Sequence, residues 1–171
     1  MTGQPLAVAV AVAVAVAVAV GVTLGACGDD GSPTATGTCG GDMTEPLDPG
    51  SARHVLPGAP EPDYASDPPT SGAHLPGAGA GGARRQPLSR PEQVAVLEEG
   101  GVVLQHRDLD DRDRRRLEAL AADDIVVAPN AGLDVPVMAT AWRQRLRCQT
   151  VDAPALRAFV DAHRGGGPAA E

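Results

Sequence analysis

The chain has no lysine, and only three of its 171 residues are aromatic: Tyr64, Trp142 and Phe159. So few large rings leave a thin core. All 14 basic residues are arginine, which we read as the codon bias of a GC-rich genome rather than as chemistry. Positive charge is outweighed, with a formal net charge of −8, and this argues against nucleic acid, whose binders cluster Lys and Arg. No Gly-x-Ser-x-Gly, His-Glu-x-x-His, phosphate-loop or Cys-x-x-Cys motif is present, so the common hydrolase, metalloprotease, nucleotide and redox signatures are missing. Ser71 and His74 lie three residues apart in a turn, which is not a nucleophile–base pair without a third group. No catalytic residue is assigned, and the chain is read as a non-enzyme.

Charge is also absent from the first 26 residues, where Ala7 to Val20 is a strict Ala-Val repeat. As a strand it would be apolar on both faces; as a helix it is long and apolar enough to enter a bilayer. The run ends in Leu24-Gly25-Ala26-Cys27, a lipobox: an apolar residue, two small residues that fit a peptidase cleft, and a thiol to carry the lipid. This predicts a lipoprotein signal peptide over 1–26, lipidation of Cys27, and a cell-membrane location facing the extracytoplasmic side. An uncleaved transmembrane anchor is the alternative, because the run exceeds the usual length and no Lys or Arg precedes it.

With Cys27 acylated, Cys39 and Cys148 remain as an even pair in an oxidising compartment, which predicts a disulfide. A loop of that length contributes about 4 kcal/mol in the chain-entropy model.

Residues 27–51 are rich in Gly, Thr, Pro and Asp and read as a flexible tether. The extracytoplasmic domain is expected over 52–168. His54 to Leu75 is Pro-rich and expected as an ordered loop, and Gly77 to Ala83 as a mobile Gly-Ala excursion. Pro91 to Leu97 reads as a short helix or turn. Strands are expected over 101–105, 125–128 and 135–142, the last at an edge or beginning at Pro136, with 145–149 extending or pairing with it. Asp110 to Ala122 reads as a solvated helix with Asp110–Arg114 and Asp111–Arg115 pairs. Asp152 caps a final helix with Pro154 in its first turn and Leu156, Phe159, Val160 and His163 on one face, stopped by Gly165. The expected fold is α+β: a small sheet of three to four strands with two main helices and a long ordered Pro-rich N-terminal loop.

The segment Tyr64-Ala65-Ser66-Asp67-Pro68-Pro69-Thr70-Ser71-Gly72-Ala73-His74 is the densest motif. Paired prolines fix the backbone, Gly72 permits a turn, and His74 ends a rigid stretch. With His54 upstream, Leu97-Glu98-Glu99-Gly100-Gly101-Val102-Val103 downstream, and Thr140-Ala141-Trp142 leading to Cys148, the chain resembles the bacterial DUF3105 family over roughly 54–168. The resemblance implies a secreted or membrane-anchored envelope protein without an assigned activity. It also implies histidines at the positions of His54 and His74 and a His-x-Leu-Glu-His-Gly segment before the apolar strand. Imidazoles beside a carboxylate are metal-site chemistry, with copper or zinc as natural ions. This chain departs from that pattern: Ala95 and Glu99 stand where the family has histidines, the Gly-Ala run replaces a Gly-x-Tyr stretch, and Arg143 sits where glycine is common.

Two functional readings follow. One is a lipid-anchored, non-catalytic interaction module that binds an envelope protein. The other is a copper- or zinc-binding envelope protein using His54, His74 and Glu99, with Glu98 or His106 nearby, at a site partly lost here. His163 is expected to pack rather than ligate.

Overall fold

A computed structural model describes residues 38–168 apart from positions 57 and 78. The expected signal peptide, Cys27 and the first part of the tether lie outside the described residues.

Six strands form one mixed sheet: β1 (Met43–Thr44), β2 (Gly82–Ala83), β3 (Val102–His106), β4 (Ile125–Pro129), β5 (Val137–Ala141) and β6 (Gln144–Cys148), in the order β1-β6-β5-β3-β4-β2. Among the described residues three helices accompany them: α1 (Arg90–Glu98), α2 (Asp111–Glu118) and α3 (Ala153–His163). The expectation of three to four strands and two main helices is therefore corrected to six and three. β1 and β2 are two-residue edge strands in Gly-, Thr- and Ala-containing sequence, held by backbone pairing that no side-chain alternation announces. The Gly-Ala run thus supplies an edge strand, and the tether is shorter than expected, because residues 38–51 fold onto the domain.

All five residues of β3 are buried, because both faces of the sheet are covered. Side chains alternate across a strand. Val102 and Leu104 join Ile125, Val127, Val137, Ala139 and Leu146 beneath Leu117 of α2 and Leu156, Phe159 and Val160 of α3. Val103, Val126 and Ala128 meet Val94, Val96 and Leu97 of α1, with Trp142, Tyr64 and Leu88. The sheet is the middle layer, and α1 shares its face with the Pro-rich loop.

α1 opens where the Glu92 carboxylate accepts from the Ser89 backbone N–H at 2.7 Å and from its hydroxyl at 2.6 Å, half of a capping box. Asp110 caps α2 by accepting from Asp113 N, so the α2 ion pairs fall instead at Arg114–Asp111, Arg114–Glu118 and Arg116–Asp113. Asp152 caps α3 through Ala155 N. β5 begins directly after Pro136, as its missing N–H requires, but lies inside the sheet between β3 and β6. The β5–β6 turn places Arg143 at φ +58°, the left-handed region that favours glycine.

Candidate metal centre

The Pro-rich motif is held by two carboxylates from the segment before it. Asp48 is buried. Its Oδ1 accepts from Gly50 N at 2.7 Å, its Oδ2 accepts from Ala65 N at 2.9 Å, and its own N–H donates to Ser71 Oγ at 2.9 Å. Glu45 accepts from the Ser66 and Thr70 hydroxyls, each at 2.7 Å, and pairs with Arg145 at 3.1 Å. Burial pulls the Arg145 pKa down while Glu45 pushes it back up. The same guanidinium donates to the Pro68 carbonyl, next to the cis Asp67–Pro68 bond. Pro68, Pro69, Thr70, Ser71 and Gly72 are thereby sealed into the interior.

Gly72 adopts φ +133°, and a Cβ there would lie 2.7 Å from the Tyr64 ring. Only glycine fits so close a crossing. The Tyr64 hydroxyl donates to the Ala73 carbonyl at 2.6 Å. Burial, followed by the charge of Glu61, pushes the Tyr64 phenol up to about 12, with Arg90 opposing.

This scaffold presents His74. Val55 N donates to His74 O at 2.7 Å and His74 N donates to Arg53 O at 3.1 Å, so His54 and His74 sit side by side on a parallel bridge. Their rings meet edge to face with centroids 4.9 Å apart. Leu75 N donates to Pro91 O at 3.2 Å, tying the loop to the start of α1. His74 is 1% exposed.

The His74 Nδ1–H donates to the Gly72 carbonyl at 3.0 Å, because a carbonyl can only accept. In the neutral ring this leaves the lone pair on Nε2. That atom is buried and lies 3.1 Å from Glu98 Oε2, yet outside hydrogen-bonding geometry. A neutral imidazole lone pair and a carboxylate facing each other repel unless a proton or a metal ion lies between them, so the pair can hold either. His54, His74 and Glu98 each offer a ligand atom within 4.8 Å of the others. A tetrahedral metal with bonds of 2.0–2.1 Å sets neighbouring donors about 3.3 Å apart, close to the His74–Glu98 spacing. A backbone carbonyl fixing the tautomer of a ligating histidine is the usual outer-shell support.

Glu99 is not the carboxylate brought to the histidines. Successive helical residues point about 100° apart, and Glu98, one position earlier at the end of α1, faces His74. Glu99 lines a separate hollow with Gly79, Gly81, Asp123 and Asp124. His106 is buried at the end of β3, paired with Pro129 and Val137, outside this cluster. Burial pushes its pKa down. His163 stacks on Phe159 with centroids 4.6 Å apart, and its Nε2 lies 2.9 Å from Asp42. The Ser71 hydroxyl faces the Asp48 backbone rather than His74. Cys39 and Cys148 form a disulfide, joining the segment before β1 to the end of β6. Asp48 and Glu45 escaped notice in the sequence because they sit in a stretch that reads as tether. Asp48-Pro49-Gly50 nonetheless carried a usable signal, an Asx turn in which the carboxylate bonds the backbone two residues on.

A family model described as a protein of unknown function (DUF3105) matches residues 59–171. The match begins after His54 and includes Tyr64, His74 and Glu98. No curated protein matches the chain, and no solved structure does.

Proposed function

The chain belongs to the DUF3105 family, and we propose that within it this protein is an extracytoplasmic, lipid-anchored domain that binds one divalent transition ion, zinc or copper, through His54, His74 and Glu98. The observation that carries the reading is the convergence of three donors: the buried Nε2 of His74, its tautomer set by Gly72, lies 3.1 Å from Glu98 Oε2, and His54 offers a ligand atom within 4.8 Å of both. Nitrogen and carboxylate donors together suit zinc and copper(II). His54, the exposed member of the three, would supply the second imidazole.

The anchor rests on the lipobox at Cys27 and the apolar run before it. Among the described residues no helix is long and apolar enough to cross a membrane. Retention of residues 1–26, with the lipid still on Cys27, when lipoprotein signal cleavage is inhibited supports acylation and cleavage; an unchanged mass rejects them. A partner-binding role is compatible with the metal reading and is favoured by Met43, Leu47 and Leu56, which are apolar and exposed.

Zinc titration of the detergent-solubilised full chain, beside Glu98→Gln and His74→Ala, tests the metal site. The expected result is one ion per wild-type chain, with affinity at least tenfold weaker in each variant, as outer and inner ligand losses give. Equal affinity in Glu98→Gln, or no zinc in the folded wild type, overturns the reading.

A further inference from the structure

The three residues that converge do not close a coordination shell. Structural zinc sites take four protein ligands, whereas sites with three keep a position for an outside molecule. Among the described residues, the group contains only His54, His74 and Glu98. The buried side of His74 is sealed by Gly72 and the Asp48 network, so the vacant side lies towards exposed His54. His54 also lines a groove of about 310 Å³, together with Arg53, Leu56, Pro60, Pro62 and Ala73. Its volume falls at the small end of the range for small-molecule sites.

The lining of the groove is mainly apolar and includes Leu56, which is 72% exposed. A large apolar side chain left in water beside concave prolines is suited to cover the apolar part of a ligand. Arg53, on the same groove, makes no side-chain hydrogen bond or ion pair among the described residues. Its Nη2 lies over Gly50, and a guanidinium on the wall of a groove that shares His54 with the site favours an anion, above all a carboxylate with its two parallel acceptors.

We propose that the metal centre is open and takes a small organic carboxylate: the anionic end reaches the metal and Arg53, and the apolar end lies over Leu56, Pro60 and Pro62. This rests on the metal reading above and fails separately from it. No bond is made or broken in the proposal, which concerns binding alone.

The test uses the detergent-solubilised full chain loaded with cobalt(II), whose absorption reports coordination number and ligand type. Azide probes the vacant position, and acetate and butyrate probe the groove. Azide should change the cobalt spectrum. Butyrate should bind roughly tenfold tighter than acetate, from burying part of two further methylenes. Arg53→Ala should weaken both carboxylates at least threefold with cobalt loading unchanged, while Leu56→Ser should lower only the butyrate advantage. Cobalt that loads stoichiometrically but ignores azide means a closed shell and overturns the proposal. Equal acetate and butyrate affinities overturn the assignment of the groove. Failure of cobalt to load at all rejects the metal reading instead.

Discussion

Replacing Gly72 by alanine probes the link between scaffold and site. Gly72 sits at φ +133°, a conformation that an L side chain adopts only under strain, and its added methyl would lie 2.7 Å and 2.8 Å from two carbons of the Tyr64 ring. Backbone strain of this kind costs about 1–3 kcal/mol, and overpacking a close-packed contact costs a further 1–3 kcal/mol. We expect a loss of about 3 kcal/mol. Small domains hold about 5–15 kcal/mol, so the variant should still fold. In urea the midpoint should fall by about 1–3 M at unchanged slope. Gly41→Ala, where nothing lies within 4 Å of the new methyl, should change stability by no more than about 0.5 kcal/mol. Combining Gly72→Ala with Tyr64→Ala should recover part of the loss, because only the ring contact is relieved and not the backbone strain. Zinc affinity should drop with stability, because the carbonyl that orients His74 belongs to the displaced residue. A loss below about 1 kcal/mol would refute the reasoning, and so would a full cost that persists without the Tyr64 ring.

The single tyrosine allows a clean titration. The fold raises the Tyr64 phenol from 10.0 to about 12, so its contribution to stability is complete below 10.0 and is lost as pH rises from there towards about 12. Phenolate absorbance midway through that window should be low in the native protein and high in urea, and equal signals would contradict the burial of the ring. The disulfide spans 109 residues, a loop worth roughly 4–5 kcal/mol in the chain-entropy model. Reduction should therefore lower stability by about 3–5 kcal/mol, and two extra free thiols in unreduced, denatured protein would show that no bridge forms.

How much of this could be read in the sequence depends on where side chains carry the signal. β3 and β4 are apolar runs bounded by charge and proline, and α3 has its cap, its Pro154 and its four-residue face, so each falls near its expected place. β1 and β2 were not legible, because two residues paired through backbone leave no periodic pattern. The same limit hid the site's carboxylate. Glu98 and Glu99 are equivalent as letters, and the family pattern pointed to Glu99 because it replaces a histidine. The phase of α1, fixed by Val94, Val96 and Leu97 against the sheet, selects Glu98. His54 and His74, twenty positions apart, meet through backbone bonds that only the folded loop reveals. Arg143 is the reverse case. Its departure from glycine was visible, and the structure supplies the reason glycine suits the position, a positive φ at the β5–β6 turn.

The Cys39–Cys148 bond also decides where mechanical load would travel. Tension applied along the chain from its N-terminal side reaches this covalent link before any hydrogen bond of β1, and passes straight to the end of β6. Everything between the two cysteines, including both carboxylate clamps, the histidine bridge and α1, lies inside a closed loop that the covalent path of that pull bypasses. A domain tugged at its leading end would pass the load from Cys148 into Gln149 and α3, so the covalent path bypasses His54, His74 and Glu98.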